Sequence, residues 1–145
     1  MARIDFAFGA TEKLSQACQT TLRQYLAGQK LFVYCTQPAR MKAFDQQLWA
    51  VEDDAFVPHV AATDPLAAST PVVLVTSGSE QALANAPAAA WLLNLDDACP
   101  PTLGHVTRVL EIVSDDPDDK EAARARWRTY LAAGHDVRSH RLSAS

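Results

Sequence analysis

Glycine is scarce in this chain and never clustered. The five glycines, Gly9, Gly28, Gly78, Gly104 and Gly134, are spread along the sequence, and neither G-x-G-x-x-G nor G-x-x-x-x-G-K-[ST] occurs. A glycine-rich phosphate loop is therefore excluded. Ser77-Gly78-Ser79 is the nearest candidate for an anion-binding turn, and it reads as an ordinary strand-to-helix turn. Cysteine is equally sparse. Cys18, Cys35 and Cys99 form an odd, scattered set, which suits reduced thiols in a cytosolic protein better than a disulfide framework. His59, His105, His135 and His140 share no ligand spacing with one another or with the cysteines, so no metal and no cofactor is expected. No apolar run approaches the roughly 20 residues of a membrane span. The opening Met-Ala-Arg-Ile-Asp-Phe is not a signal peptide, and the expected location is the cytoplasm. Cations are also short: the net charge of −4 argues against tight, direct binding to a nucleic-acid backbone, for which only the C-terminal segment supplies a basic surface.

What is present is an ordinary globular composition, 48% hydrophobic and 21% charged over 145 residues, enough for one domain, 1–145, with a real core. Ile4, Phe6 and Phe8 alternate with Asp5 and Ala7 as a first strand. Thr11 is placed to cap a helix carrying Leu14, Cys18, Leu22, Tyr25 and Leu26, which Gly28 ends. The run 31–35 reads as a strand buried on both faces, and Pro38 opens a helix that runs to Trp49. Phe56 to His59 is a short extended piece, confined by Pro58 to an edge or a strand end. Residues 63–70 read as a loop, and a weak alanine-rich helical segment ends near Pro87. Further strands are expected at 72–76, 90–95 and 106–113, then an acidic turn at 114–119 and a C-terminal helix. This pattern predicts a three-layer α/β domain, a mostly parallel sheet of about five strands with helices on both faces: a Rossmann-like topology without the nucleotide-binding loop.

Candidates for catalysis are weak. Cys35 ends a buried strand, as a small core residue does. Asp96-Asp97 follows a strand, where acids of α/β enzymes sit, but an isolated pair serves equally as a turn or cap. His59 is suited to holding a loop by hydrogen bonding. No catalytic residue is assigned.

The charge is unevenly distributed. From Lys120 onward, Lys120, Arg124, Arg126, Arg128, Arg138 and Arg141 face only Glu121 and Asp136, whereas residues 1–119 are strongly acidic. Lys120, Arg124, Trp127 and Leu131 step by four, three and four, so they share one helical face. Cations beside a large aromatic suit a short ligand that is both acidic and apolar. A solvated, salt-bridged helix with one aromatic tucked inward fits the same composition. Ala122, Ala123, Arg126, Tyr130 and Ala133 form a second stripe for packing on the sheet, where Arg126 would need a carboxylate partner or have to snorkel. Trp127 is expected to point away from that stripe.

The helix Ala123–Gly134, together with the blocks Phe44-Asp-Gln-Gln-Leu48-Trp49-Ala and Phe56-Val-Pro58-His59, resembles the chi subunit family of bacterial DNA polymerase III. The resemblance covers essentially the whole chain, apart from 64–87. It implies a non-catalytic adaptor of the replication clamp loader that grips the acidic C-terminal tail of single-stranded DNA-binding protein. On this chain the family's cationic contacts fall on Lys120 and Arg124, with Trp127 as the aromatic beside them; the tail's terminal aromatic is expected to enter a pocket beside Trp127 and Val113. Leu131 stands where the family has an arginine. The region of Trp49 and Phe56 is implied to dock the psi subunit or, in some bacteria, a helicase-like repair protein, with DNA engaged only indirectly. The other readings are a small nucleotide-dependent α/β enzyme and a direct single-stranded DNA-binding domain.

Overall fold

The computed structural model describes residues 2–51 and 56–142. Along the chain lie β1 (Arg3–Ala10), α1 (Lys13–Leu26), β2 (Leu31–Tyr34), α2 (Pro38–Trp49) and β3 (His59–Ala61). A 3-10 turn (Ala67–Ser69) leads into β4 (Val72–Val75), α3 (Gln81–Ala84), β5 (Trp91–Asn94), β6 (Arg108–Ser114), α4 (Pro117–Ala132) and β7 (Asp136–Arg141). Among the described residues seven strands form one sheet in the order β3-β4-β2-β5-β6-β1-β7. Every pairing is parallel.

The central strands are continuous apolar runs because helices cover both faces of the sheet. On one face Leu31, Val33, Val72, Leu74, Leu93, Leu110 and Ile112 meet Cys18 and Leu22 of α1 and Met41, Phe44 and Leu48 of α2. On the other, Ile4, Phe6, Phe32, Val73, Leu92, Val109 and Val113 meet Leu83 of α3 and Ala123 and Tyr130 of α4. Phe44 and Leu48 are fully buried, each contributing roughly 1.5–3 kcal/mol by removal from water. The layers are those expected from the sequence.

Three details differ from that expectation. The sheet has seven strands rather than five, because β3 follows Pro58 as an edge strand and β7 adds to β1 at the opposite edge. Neither could be read as a strand by hydrophobicity: β3 is three residues long, and β7 (Asp-Val-Arg-Ser-His-Arg) inserts only Val137 into a core. The first helix is preceded by Glu12, not Thr11, and has no side-chain cap; its end is fixed by Gly28 at φ 79°, whose N–H donates to the Tyr25 carbonyl. Finally, the expected acidic turn is already helix from Pro117. Asp116 caps it by accepting the Asp118 N–H at 2.9 Å, and Asp118 and Asp119 occupy the positive end of the helix dipole.

Candidate functional site

The orientation of α4 is set by one buried ion pair. Arg126 is 1% exposed and donates from Nε to Glu111 Oε1 at 3.0 Å and from Nη1 to the Asp97 carbonyl at 3.0 Å. Glu111 Oε2 accepts from the Tyr130 hydroxyl at 2.6 Å and from Asn94 Nδ2 at 2.8 Å. Burial pushes the Glu111 carboxyl up, against the opposing pull of Arg126, Tyr130 and Asn94. The carboxylate partner that the sequence demanded for Arg126 is thus Glu111 on β6. With Arg126 and Tyr130 locked inward, the helical period turns Lys120, Arg124 and Trp127 toward the margin of the sheet beside β1 and β7.

There they line a cleft of about 360 Å³ with Phe6 and Phe8 of β1, Val113 of β6, Ala123, and Ser139 and Arg141 of β7. The four residues singled out from the sequence, Val113, Lys120, Arg124 and Trp127, therefore stand together. Leu131 is not among the lining residues and is exposed. Trp127 does not point clear of the core, as the helical pattern suggested. Its ring lies 5.1 Å from that of Phe6 and packs on the second core cluster, so it forms one wall of the cleft. Phe8 is 37% exposed, and the Arg141 guanidinium stands 5.7 Å from its ring centroid. The lining holds three cations, Lys120, Arg124 and Arg141, and no carboxylate. Among the described residues Arg124 reaches only the neighbouring Glu121, at 3.4 Å, with both side chains exposed, a pair of little energetic weight. Sequence reasoning missed Phe6, Phe8, Ser139 and Arg141. The alternation of Phe6 and Phe8 was visible, but their side of the sheet could not be matched to α4 without β7.

A second surface lies at the opposite edge of the sheet. Trp49 is 49% and Phe56 61% exposed, with ring centroids 5.1 Å apart. Trp49 also lies 4.2 Å from the His59 ring, which is held by the Val57 carbonyl at 2.7 Å and Asp45 at 2.6 Å. His59 thus fixes the loop, as its position after Pro58 suggested. The intervening Glu52-Asp53-Asp54 lies outside the described residues.

The carboxyl ends of the strands, where doubly wound sheets take their ligands, are occupied by the protein's own contacts. Asp96 accepts from the Thr36 N–H at 2.8 Å and its hydroxyl at 2.7 Å. Asp97 pairs with Arg40 at 3.1 Å and accepts from Gln37 at 2.7 Å. Lys13 pairs with Asp119 at 2.8 Å, and the Gly78 N–H of the Ser77-Gly78-Ser79 turn donates to Glu80 at 2.6 Å. Cys35 is buried, and burial pushes its thiol up, away from nucleophilic thiolate. Among the described residues no three His, Cys, Asp or Glu side chains are grouped to hold a metal ion, and no helix is long and apolar enough to cross a membrane.

Residues 1–138 match the family model described as DNA polymerase III chi subunit, HolC. The chain belongs to the DNA polymerase III chi subunit family. It is similar to the DNA polymerase III subunit chi of Pseudomonas aeruginosa, 28% identical over an alignment covering 98% of each chain. It is also similar to the DNA polymerase III subunit chi of Haemophilus influenzae, 24% identical over 83% of this chain and 81% of that one. The match to the chi family takes in β1, β6 and α4, and β7 as far as Arg138.

Proposed function

We propose that this chi-family chain is a non-catalytic adaptor of the polymerase III clamp loader, and that the cleft between α4, β1 and β7 receives the acidic C-terminal tail of single-stranded DNA-binding protein. One observation carries the reading. In a chain of net charge −4, a cleft floored by Phe6, Phe8, Val113 and Trp127 is ringed by Lys120, Arg124 and Arg141 with no carboxylate in its lining. Arg124 and Lys120 pair with the tail's carboxylates, while its terminal apolar side chain enters between Trp127 and Val113. The contact area is small and the ion pairs lie near solvent, so affinity is modest and falls with salt. DNA is reached through the partner, in the cytoplasm.

The exposed Trp49–Phe56 pair is the face for a second protein, the psi subunit or a helicase-like repair protein. Tryptophan and phenylalanine at a surface edge supply the desolvated anchors that interfaces concentrate. Nucleotide-dependent chemistry is disfavoured because the α4 N-terminus, a natural phosphate seat, is filled by Asp116, Asp118 and Asp119.

The test is a titration with the tail peptide at two salt concentrations. Saturable, salt-weakened binding that Arg124→Ala abolishes, with an unchanged melt, is the expected result. Tail affinity unchanged in Arg124→Ala would remove the assignment. A parallel titration with a fluorescent single-stranded oligonucleotide separates this reading from direct DNA binding.

A further inference from the structure

The cleft opens onto the unpartnered edge of the sheet. Among the described residues β7 is the last strand in the order and pairs only with β1. The Asp136 N–H donates to the Ala2 carbonyl and the Leu142 N–H to the Phe8 carbonyl, so the even-numbered residues of β7 direct their backbone groups at β1. The strand repeat then turns the N–H and C=O of Val137, Ser139 and Arg141 outward. Ser139 and Arg141 are also the two β7 residues whose side chains line the cleft. One pair of residues therefore offers both an open backbone ladder and a wall of the pocket.

The charge on this edge is matched to one kind of occupant. Arg138 is held by Asp136 at 2.8 Å, whereas Arg141 has no carboxylate within ion-pair distance among the described residues. The side chains alternate across the strand: Ser139 and Arg141 face α4, and Arg138 and His140 face the other way. An extended peptide with consecutive acidic residues alternates its carboxylates in the same manner, presenting one set to Arg141 and Arg124 and the other to the opposite face.

We propose that the outer edge of β7 takes an extended acidic peptide segment as an eighth strand, leading its apolar end into the cleft beside Trp127. Backbone hydrogen bonds to Ser139 and Arg141 hold and orient the segment, and the cations of the cleft select it by charge. This assignment rests on the cleft being the tail-binding site and adds the backbone geometry with which the segment approaches it.

The experiment uses the full chain and a synthetic peptide, a run of aspartates ending in a C-terminal phenylalanine. Two versions carry N-methyl groups on alternate backbone amides of the aspartate run, in the two complementary registers. Strand addition predicts that one register binds about tenfold more weakly, the loss expected for one or two hydrogen bonds, while the other binds as the parent does. It also predicts slowed amide exchange at Ser139 and Arg141 in the complex, and weakened binding in Ser139→Pro, which removes an outward N–H without touching the β1 pairing. If the two registers behave alike while Arg124→Ala still abolishes binding, strand addition is wrong and the cleft reading stands. If the parent peptide fails to bind at low salt, both fall.

Discussion

Replacing Arg126 with methionine is expected to cost more stability than any other change on α4, although Arg124, two residues earlier, can be truncated with little loss of stability. The difference lies in burial: Arg126 and Glu111 are 1% and 0% exposed, while Arg124 and its partner Glu121 are both in solvent. Methionine keeps the packing of the arginine stem but leaves Glu111 as a buried charge with only neutral donors around it. Breaking a buried pair on one side costs roughly 3–5 kcal/mol. Native domains are stable by only about 5–15 kcal/mol, and a chain of this size loses on the order of 2–5 °C of melting temperature per kcal/mol. A drop of roughly 6–25 °C follows.

The deficit should also depend on pH. Burial already raises the Glu111 carboxyl, and the variant removes the guanidinium that opposes the rise. A group with a raised folded value gives stability that is fully present below its unfolded value, about 4.3 for glutamate, and is lost as pH rises through the folded one. Arg126→Met should thus approach the parent near pH 4 and fall furthest behind above neutrality. Adding Glu111→Gln, which keeps an acceptor for Tyr130 without the charge, should restore at least half the loss. Thermal melts of the parent and both variants across that pH range decide the matter. An Arg126→Met protein melting within about 2 °C of the parent at pH 8 would refute the reasoning, since a lost buried pair cannot cost so little.

Gly104 sits at φ 56°, where an added Cβ would lie 2.0 Å from the Leu83 carbonyl oxygen, so Gly104→Ala should lose well over the roughly 1 kcal/mol expected for Gly28→Ala, whose Cβ meets nothing. Paired urea titrations measure both. Asp119 is disfavoured as an anion by burial, but Lys13 and Ser114 outweigh this and hold its carboxyl below the usual range. Its contribution is present above the ordinary carboxylate value and lost as pH falls through the depressed one, so Asp119→Asn should flatten the acid limb of the stability profile. Trp49→Ala and Phe56→Ala remove half-exposed rings, and each should leave the melt nearly unchanged while weakening co-purification with the psi subunit. Retained co-purification would assign that face elsewhere.

The central sheet was legible because its strands, such as Val72–Val75, are unbroken apolar runs that only a strand covered on both faces tolerates. The basic face of α4 was legible because helical spacing alone brings Lys120, Arg124 and Trp127 together. What could not be read was the other wall of the cleft. β7 carries a polar sequence, and its strand character comes from pairing with β1, far away in the chain, rather than from its own residues. Arg141 was therefore a stray charge in sequence and a wall of the cleft in space. The depth of Trp127 was misjudged for the same reason: Phe6, its stacking partner, belongs to the first strand.

That arrangement has a consequence for how the protein is made. β1, which precedes the other described strands in the sequence, is flanked by β6 and β7, with Arg3 opposite both Arg108 and Asp136. The Ala2 N–H even donates to the Nδ1 of His135. β2, β3 and β4 are neighbours and can assemble early, but β1 must wait unseated through most of translation. The cleft is walled by β1, β6, α4 and β7, so it comes into being only once β7 is in place. A chain synthesised only as far as β6 carries six of the seven strands and lacks the cleft. In this topology the cleft reports that β7 has been made and seated beside β1.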